Sequence, residues 1–283
     1  MAKTQTAGQA VGTIGRRHYS TGGTTDGRRS RSDLGSRGRN MLRRKSMGGS
    51  GGKSIVAATT LLFDGIKAAA NITDRVLVFY SGGKDSAVTL DLCARYFKRI
   101  QPVFMRLGPI LSFQRACLDW VERRYRVPVM IVPHPMLAEW LRYGTFREYD
   151  FDVPIISFLD VYTYARSKSG IWWIAAGERI ADSIVRRAMI KGDGGVVNPK
   201  RGRFFPLAHW SKSDVYAYIR HHRLKVAPET QHLGFSFRSL MGSDLAAIRR
   251  VYPEDYARIE SWFPLAGVSL AQYVFAKKQE GTT

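Results

Sequence analysis

The sequence predicts an α/β protein on a doubly wound parallel sheet of five strands, with a disordered basic tail before it and a helical extension after it. Three observations carry this. β-Branched and aromatic runs alternate with segments of helical periodicity between residues 76 and 176, the rhythm of parallel strands covered by helices on both faces. Two of the strand ends open into glycine-containing corners, "YSGGKDS" at 80–86 and "AGERIADS" at 176–183. The charge is also lopsided: residues 1–54 hold 12 Lys or Arg against Asp26 and Asp33, which is +10 of the chain's net +21. The expected division is a tail over 1–54, an α/β unit over 55–225 and a helical extension over 226–283.

The tail comes first. Its stretch "DGRRSRSDLGSRGRNMLRRKS" has few apolar residues, so burial cannot offset the entropy of ordering it. Arginines in this density suit phosphate backbones, and DNA or RNA is the expected partner. The plainer reading is a solvated extension. The segment "MGGSGGKS" places Gly52, Lys53 and Ser54 as a phosphate loop would, but Met47 stands where the leading glycine belongs and no strand precedes it. It reads as a linker.

"SIVAATTLLFDGIKAAANI" reads as a helix leading to a buried strand at 76–80. A helix follows over 84–99, with Ala87, Val88, Leu90, Leu92, Cys93 and Phe97 at helical spacing. Next come a strand at 102–107, a helix at 112–125 and a strand at 127–133. The aromatic stretch "FDVPIISFLDVYTYARSK" is expected to turn helical after Pro154, with Phe158, Tyr162 and Tyr164 as core residues without a functional role. A strand at 171–176 leads to the second corner. "KGDGGVVNPKRGR" is either an exposed loop or a mobile cover that brings Lys200, Arg201 and Arg203 to anionic groups. In "PLAHWSKSDVYAYI", Ser211 with Asp214 three residues on reads as a helix N-cap and Trp210 as a packing residue.

The first corner is built for an anion. Glycine at 82 and 83 lets main-chain amides turn inward, and the following helix aims partial positive charge at the same point. It is not the G-x-x-x-x-G-K-[ST] loop, because Phe79 occupies the first glycine position and Lys84 is followed by Asp85.

"SGGKDS" resembles the S-G-G-x-D-S pyrophosphate loop of the PP-loop ATP pyrophosphatases and adenine nucleotide α-hydrolases. "GERIADSIVR" is similar to the G-x-R-x-x-[DE]-S-x-x-R pattern of the phosphoadenosine phosphosulfate (PAPS) reductase family, matching at Gly177, Arg179, Asp182, Ser183 and Arg186. The "PLAHWSKSDVYAYI" segment resembles a third stretch of that family, with Tyr216 in place of a tryptophan.

The resemblance implies an adenine nucleotide, ATP or PAPS, on Ser81, Gly82, Gly83, Lys84, Asp85 and Ser86, with Gly177, Arg179, Ser183 and Arg186 completing the binding site. It implies catalytic roles for Lys84, Asp85, Arg179 and Arg186, and Mg²⁺ carried on the phosphates. By the residues alone, Asp182 and Arg186 are four apart and share a helix face.

The implied reaction is cleavage of the α–β bond of ATP to adenylate an acceptor, nucleic acid among the candidates, for sulfur or nitrogen transfer. The alternatives are a sulfonucleotide reductase using an external thiol and a non-catalytic nucleotide- or nucleic-acid-binding module. Two departures from the family matter. Relatives carry cysteines near their C-terminus where this chain shows Arg238, Leu240, Met241 and Ser243, and the second strand is followed by Arg106 and Gly108 rather than Asp-Thr-Gly.

Cys93 and Cys117 are the only cysteines, which gives no disulfide framework, no iron–sulfur cluster and no metal-ligand set; both are expected to be buried. No run of about 18 apolar residues marks a membrane span. The N-terminus lacks a secretory apolar segment. Its arginine-rich, acid-poor composition overlaps with transit peptides, but the glycine content favours a cytoplasmic reading. Oligomeric state stays open, with a homodimer among the expected states.

Overall fold

The computed structural model describes residues 62–228, 233, 237 and 239–280. The basic tail, the segment 47–54 read as a linker, Arg238 and the last three residues lie outside them.

The order of elements follows from the alternation in the sequence. A helix over 62–70 (α1) precedes β1 (Arg75–Phe79), α2 (Lys84–Tyr96), β2 (Arg99–Arg106), α3 (Ser112–Tyr125) and β3 (Met130–Pro133). Then come α4 (Pro135–Tyr143), α5 (Phe158–Ser169), β4 (Ile174–Ala175), α6 (Ile184–Gly192), β5 (Val197–Asn198), β6 (Arg203–Phe204) and α7 (Lys212–His222). The chain closes with α8 (Gly242–Val251), α9 (Pro253–Trp262) and α10 (Ala266–Glu280). No helix among the described residues is long and apolar enough to cross a membrane.

The sheet has six strands in the order β3-β2-β1-β4-β6-β5. Five are parallel, as expected. The sixth, β5, runs antiparallel to β6 with Val197 opposite Phe204. It was not anticipated because a two-residue strand at a sheet edge leaves no periodicity to read. The segment 197–204 is therefore an edge hairpin rather than a cover. Arg201 Nη1 lies 2.7 Å and Arg203 Nε 3.8 Å from the buried carboxylate of Asp193, which draws both arginines onto the hairpin's own base.

Side chains alternate across the sheet with the period of two that a strand imposes. Val76, Val78, Phe104, Ala175 and Phe204 face the core under α1, α2, α3 and α7, where Trp210 and Val215 are also buried. Leu77, Val103, Val132 and Ile174 face the opposite side, covered by Val161 and Ala165 of α5. The C-terminal helices form another cluster, in which Leu245, Ile248, Ile259 and Phe263 pack with Leu111, Phe113 and Leu137. Asp255, buried in α9, fastens that cluster to α3: its carboxylate accepts the Ser112 N–H at 2.8 Å and the Ser112 hydroxyl at 2.6 Å, adding an acceptor for the first turn of α3 to the one Gln114 gives the Leu111 N–H.

A polar knot joins three helices on one face. Asp91, 2% exposed, accepts hydrogen bonds from Arg95 at 2.7 Å, Tyr125 at 2.9 Å and Tyr218 at 2.9 Å. Burial alone would raise its carboxyl pKa. These partners more than offset that, and the net displacement is downward.

Candidate functional site

The chain steps outward from β1 to β2 and β3 on one side, then returns to place β4 and β6 on the other. The strand order therefore reverses between β1 and β4. In open α/β sheets the crevice for a ligand lies beyond the carboxyl ends of the strands at this point. The two corners singled out in the sequence are the continuations of these two strands.

The first corner is stapled by its own hydroxyls. Gly82 adopts φ 83, the left-handed region that disfavours side chains. Ser86 Oγ accepts from the Ser81 N–H at 3.2 Å and from the Ser81 hydroxyl at 3.2 Å, and donates to the Gly83 carbonyl at 2.9 Å. Gly83 is the N-cap of α2, with no side chain to satisfy the first amides of the helix. Those amides, near the positive end of the helix, suit an incoming anion. Lys84 Nζ sits on Asp85 Oδ2 at 2.5 Å.

The second corner closes on the first. A Cβ on Gly177 would lie 3.0 Å from Thr89 Oγ1 and 3.5 Å from the Asp85 carbonyl. Glycine there allows the end of β4 to lie against the first turn of α2. Arg179 is 5% exposed. Its Nε lies 3.2 Å from Asp85 Oδ1, and its Nη2 donates to Asp182. The Asp182 carboxylate also accepts the Arg179 main-chain N–H at 3.1 Å. Arg179 thus bridges the two corners from beneath.

Asp182 and Arg186 do not pair as a helical i,i+4 couple, as their spacing suggested. Ser183 is in extended conformation and caps α6, its hydroxyl accepting the Arg186 N–H at 3.1 Å. Asp182 therefore precedes the helix, and the periodicity rule does not reach it. Arg186 turns instead to Glu178, with Nη1 to Oε1 at 3.1 Å.

Between the corners lies a cleft of about 390 Å³. Ser81, Asp85, Ser86, Glu178, Asp182 and Arg186 line its polar side, while Phe79, Met105, Phe158 and Tyr162 line the other. Gly177 is at its base with Ala176 and Ile174. Phe79 and Tyr162 meet edge to face at 5.0 Å. Burial raises the Tyr162 phenol pKa above its ordinary range, so its hydroxyl keeps its proton at neutral pH. One side of the cleft can thus take a planar base and the other a phosphate chain.

Among the described residues, larger hollows lie beside Trp210 and His221, at about 510 Å³, and beside Ile131 and Tyr164, at about 460 Å³. Neither is lined by either corner, so size alone does not locate the chemistry.

Of the residues expected to bind or act, Ser81, Asp85, Ser86, Gly177 and Arg186 line the cleft. Gly82, Gly83 and Lys84 form the loop above it. Arg179 serves from below, and the Ser183 hydroxyl is spent on its helix. Phe158 and Tyr162, read from the sequence as core residues, line the cleft as well; helical spacing cannot tell a core aromatic from one that faces a cavity. Glu178 was missed because it fills a variable position of the motif. Cys93 and Cys117 are both buried, and burial drives the Cys93 thiol pKa far upward. Neither offers a thiolate to the cleft.

Among the described residues no three His, Cys, Asp or Glu side chains cluster as a metal cage. Asp85 is the carboxylate beside the loop, with Oδ1 buried and lacking a hydrogen-bond donor of suitable geometry. That fits an ion that arrives on phosphates and keeps most of its ligands from them and from water.

The phosphoadenosine phosphosulfate reductase domain matches residues 75–231. The adenosine 5'-phosphosulfate reductase of Allochromatium vinosum is 26% identical over 164 residues, which is 55% of this chain and 62% of that protein. This chain therefore spans under two thirds of that relative's length.

Among solved structures, a PAPS reductase from Candida auris in a phosphate complex aligns with 69% of this chain and 97% of its own, at 18% identity and a TM-score of 0.44. The U34-tRNA thiolase NcsA from Methanococcus maripaludis, solved with a [4Fe-4S] cluster, aligns with 75% of this chain and 80% of its own, at 14% identity and a TM-score of 0.42. An NH3-dependent NAD synthetase from Campylobacter jejuni gives 78%, 95%, 14% and 0.38 for the same measures.

Proposed function

The chain belongs to the phosphoadenosine phosphosulfate reductase domain family, and from that premise we propose that it is an adenine-nucleotide enzyme that splits ATP between its α and β phosphates to adenylate an acceptor. The observation that carries the reading is the meeting of the two corners at the reversal of strand order, with Gly177 in van der Waals reach of the Asp85 backbone.

In this reading the base lies against Phe79, Phe158 and Tyr162. Main-chain amides at 82–84 and the Ser81 hydroxyl hold the terminal phosphates. An acceptor oxygen attacks the α phosphorus, the bond to the bridging oxygen breaks, and pyrophosphate leaves with the electron pair. Lys84 offsets the charge that develops on it. Arg179 holds Asp85 and the second corner in register, which makes it a positioning residue. Mg²⁺ bound to the phosphates would supply further charge neutralisation, with Asp85 within reach of it. A sulfur or nitrogen nucleophile then displaces AMP from the adenylated acceptor.

The basic segment 1–54 is the arm proposed to hold a nucleic-acid acceptor, with 55–225 as the nucleotide-binding unit and 226–283 as its helical extension. The test is release of pyrophosphate from ATP over a panel of RNA, DNA and small-molecule acceptors. Stimulation by one of them supports the reading, and no release over background with any of them, from protein shown to bind ATP, overturns it.

The similarity to an adenosine 5'-phosphosulfate reductase favours a second reading, reduction of a sulfonucleotide. With both cysteines buried, the attacking sulfur would have to come from an external dithiol. Release of sulfite in the presence of such a dithiol distinguishes it.

A further inference from the structure

We infer that Glu178 makes the cleft select a nucleotide with free ribose hydroxyls and reject one that carries an additional 3'-phosphate. The inference deepens the proposed function, since it rests on the cleft holding an adenine nucleotide.

The polar side of the site is balanced in charge. Its cations are Lys84, Arg179 and Arg186, and its carboxylates are Asp85, Asp182 and Glu178. Every cation is committed: Lys84 to Asp85 at 2.5 Å, Arg179 to Asp85 at 3.2 Å and to Asp182, and Arg186 to Glu178 at 3.1 Å. Farther along the chain, Arg201 and Arg203 lie on Asp193. The helix amides at the first corner can still receive one phosphate chain. A second phosphate elsewhere on the ligand would have to compete with a carboxylate for each of these three side chains.

Glu178 decides the matter at its own position. It lines the cleft, and its Oε1 takes Arg186. Its Oε2 is buried without a hydrogen-bond partner. A buried acceptor in that condition gains from any ligand group that brings a proton to it. A ribose hydroxyl has one to give. A phosphate dianion has none and meets like charge, which lowers its affinity where water is displaced.

The experiment is calorimetric titration, at fixed ionic strength, of the full chain and of Glu178→Gln with AMP and with adenosine 3',5'-bisphosphate, ligands that differ only in the 3'-phosphate. The expected result is at least about tenfold tighter binding of AMP by the native chain, with the ratio in Glu178→Gln falling to about threefold or less as the amide removes the repulsion and releases Arg186. Equal affinities for the native chain, a preference for the bisphosphate, or a ratio unmoved in a folded Glu178→Gln would overturn the inference while leaving the nucleotide site standing. Should Glu178→Gln fail to fold, the native ratio alone decides. If the native chain binds neither ligand nor ATP, the functional reading falls first and takes the inference with it.

Discussion

Arg179 is expected to act through Asp85 as a mechanical tie, and a double-mutant cycle measures that directly. The variants are Arg179→Met, which keeps the bulk of the stem and removes the guanidinium, Asp85→Asn, and the two combined. At the observed 3.2 Å between Nε and Oδ1, Coulomb's law with an effective dielectric of about 20 gives an attraction of about 5 kcal/mol.

Most of that is returned as desolvation. Arg179 is 6% exposed at its side chain and Asp85 26%, so the arginine carries the greater share of that cost. A net coupling of about 2 kcal/mol remains, within the range for residues in contact. Each single variant should lower the stability measured by urea unfolding, and the double variant should lose about 2 kcal/mol less than the two losses added together. Nucleotide affinity should follow, because Asp85 stands in the first turn of the helix that receives the phosphates. A coupling under about 0.5 kcal/mol would refute the tie and return Arg179 to the role of a plain ligand for anions.

Other outcomes follow from single contacts. Gly177→Ala places a methyl 3.0 Å from Thr89 Oγ1; it should cost about 1–3 kcal/mol in thermal or urea unfolding and weaken ATP binding, whereas Gly192→Ala, which meets nothing within 4 Å, should stay within about 1 kcal/mol of the native chain. Asp91 binds its proton less readily in the folded chain than in the unfolded one; the unfolded state therefore takes up more protons in acid, and the stability Asp91 contributes is present above the unfolded pKa of about 3.9 and lost as pH falls below it. Urea midpoints from pH 6 to pH 3 should drop more steeply for the native chain than for Asp91→Asn, and parallel curves would contradict this. Deleting residues 1–54 should reduce binding of a labelled RNA or DNA and flatten its dependence on salt; identical isotherms for both chains would remove the tail as an arm.

The fold was legible because its determinants are local. Strands such as Arg75–Phe79 and helices such as Ser112–Tyr125 announce themselves by composition and period, and the glycines at 82, 83 and 177 mark where the backbone must come close to something. The cap at Ser211 was legible for the same reason: its hydroxyl takes the Asp214 N–H, at 3.2 Å.

What escaped was set by contacts distant in sequence. Asp193 holds Arg201 and Arg203 through the edge hairpin, and Asp255 caps a helix that begins 143 residues earlier. The pairing of Arg186 with Glu178 rather than Asp182 depended on where α6 starts, which a single cap at Ser183 decided. Phe158 and Tyr162 sit on a helix whose inward face borders a cavity at one end and core at the other, a difference that hydropathy does not record.

The most direct test of the account is a crystal structure of the chain with a non-hydrolysable ATP analogue. The account predicts terminal phosphates within hydrogen-bond reach of the main-chain nitrogens at 82–84, with the base against Phe79 and Tyr162. Nucleotide density in the hollow beside Trp210 and His221, with the 81–86 loop bare, would contradict it.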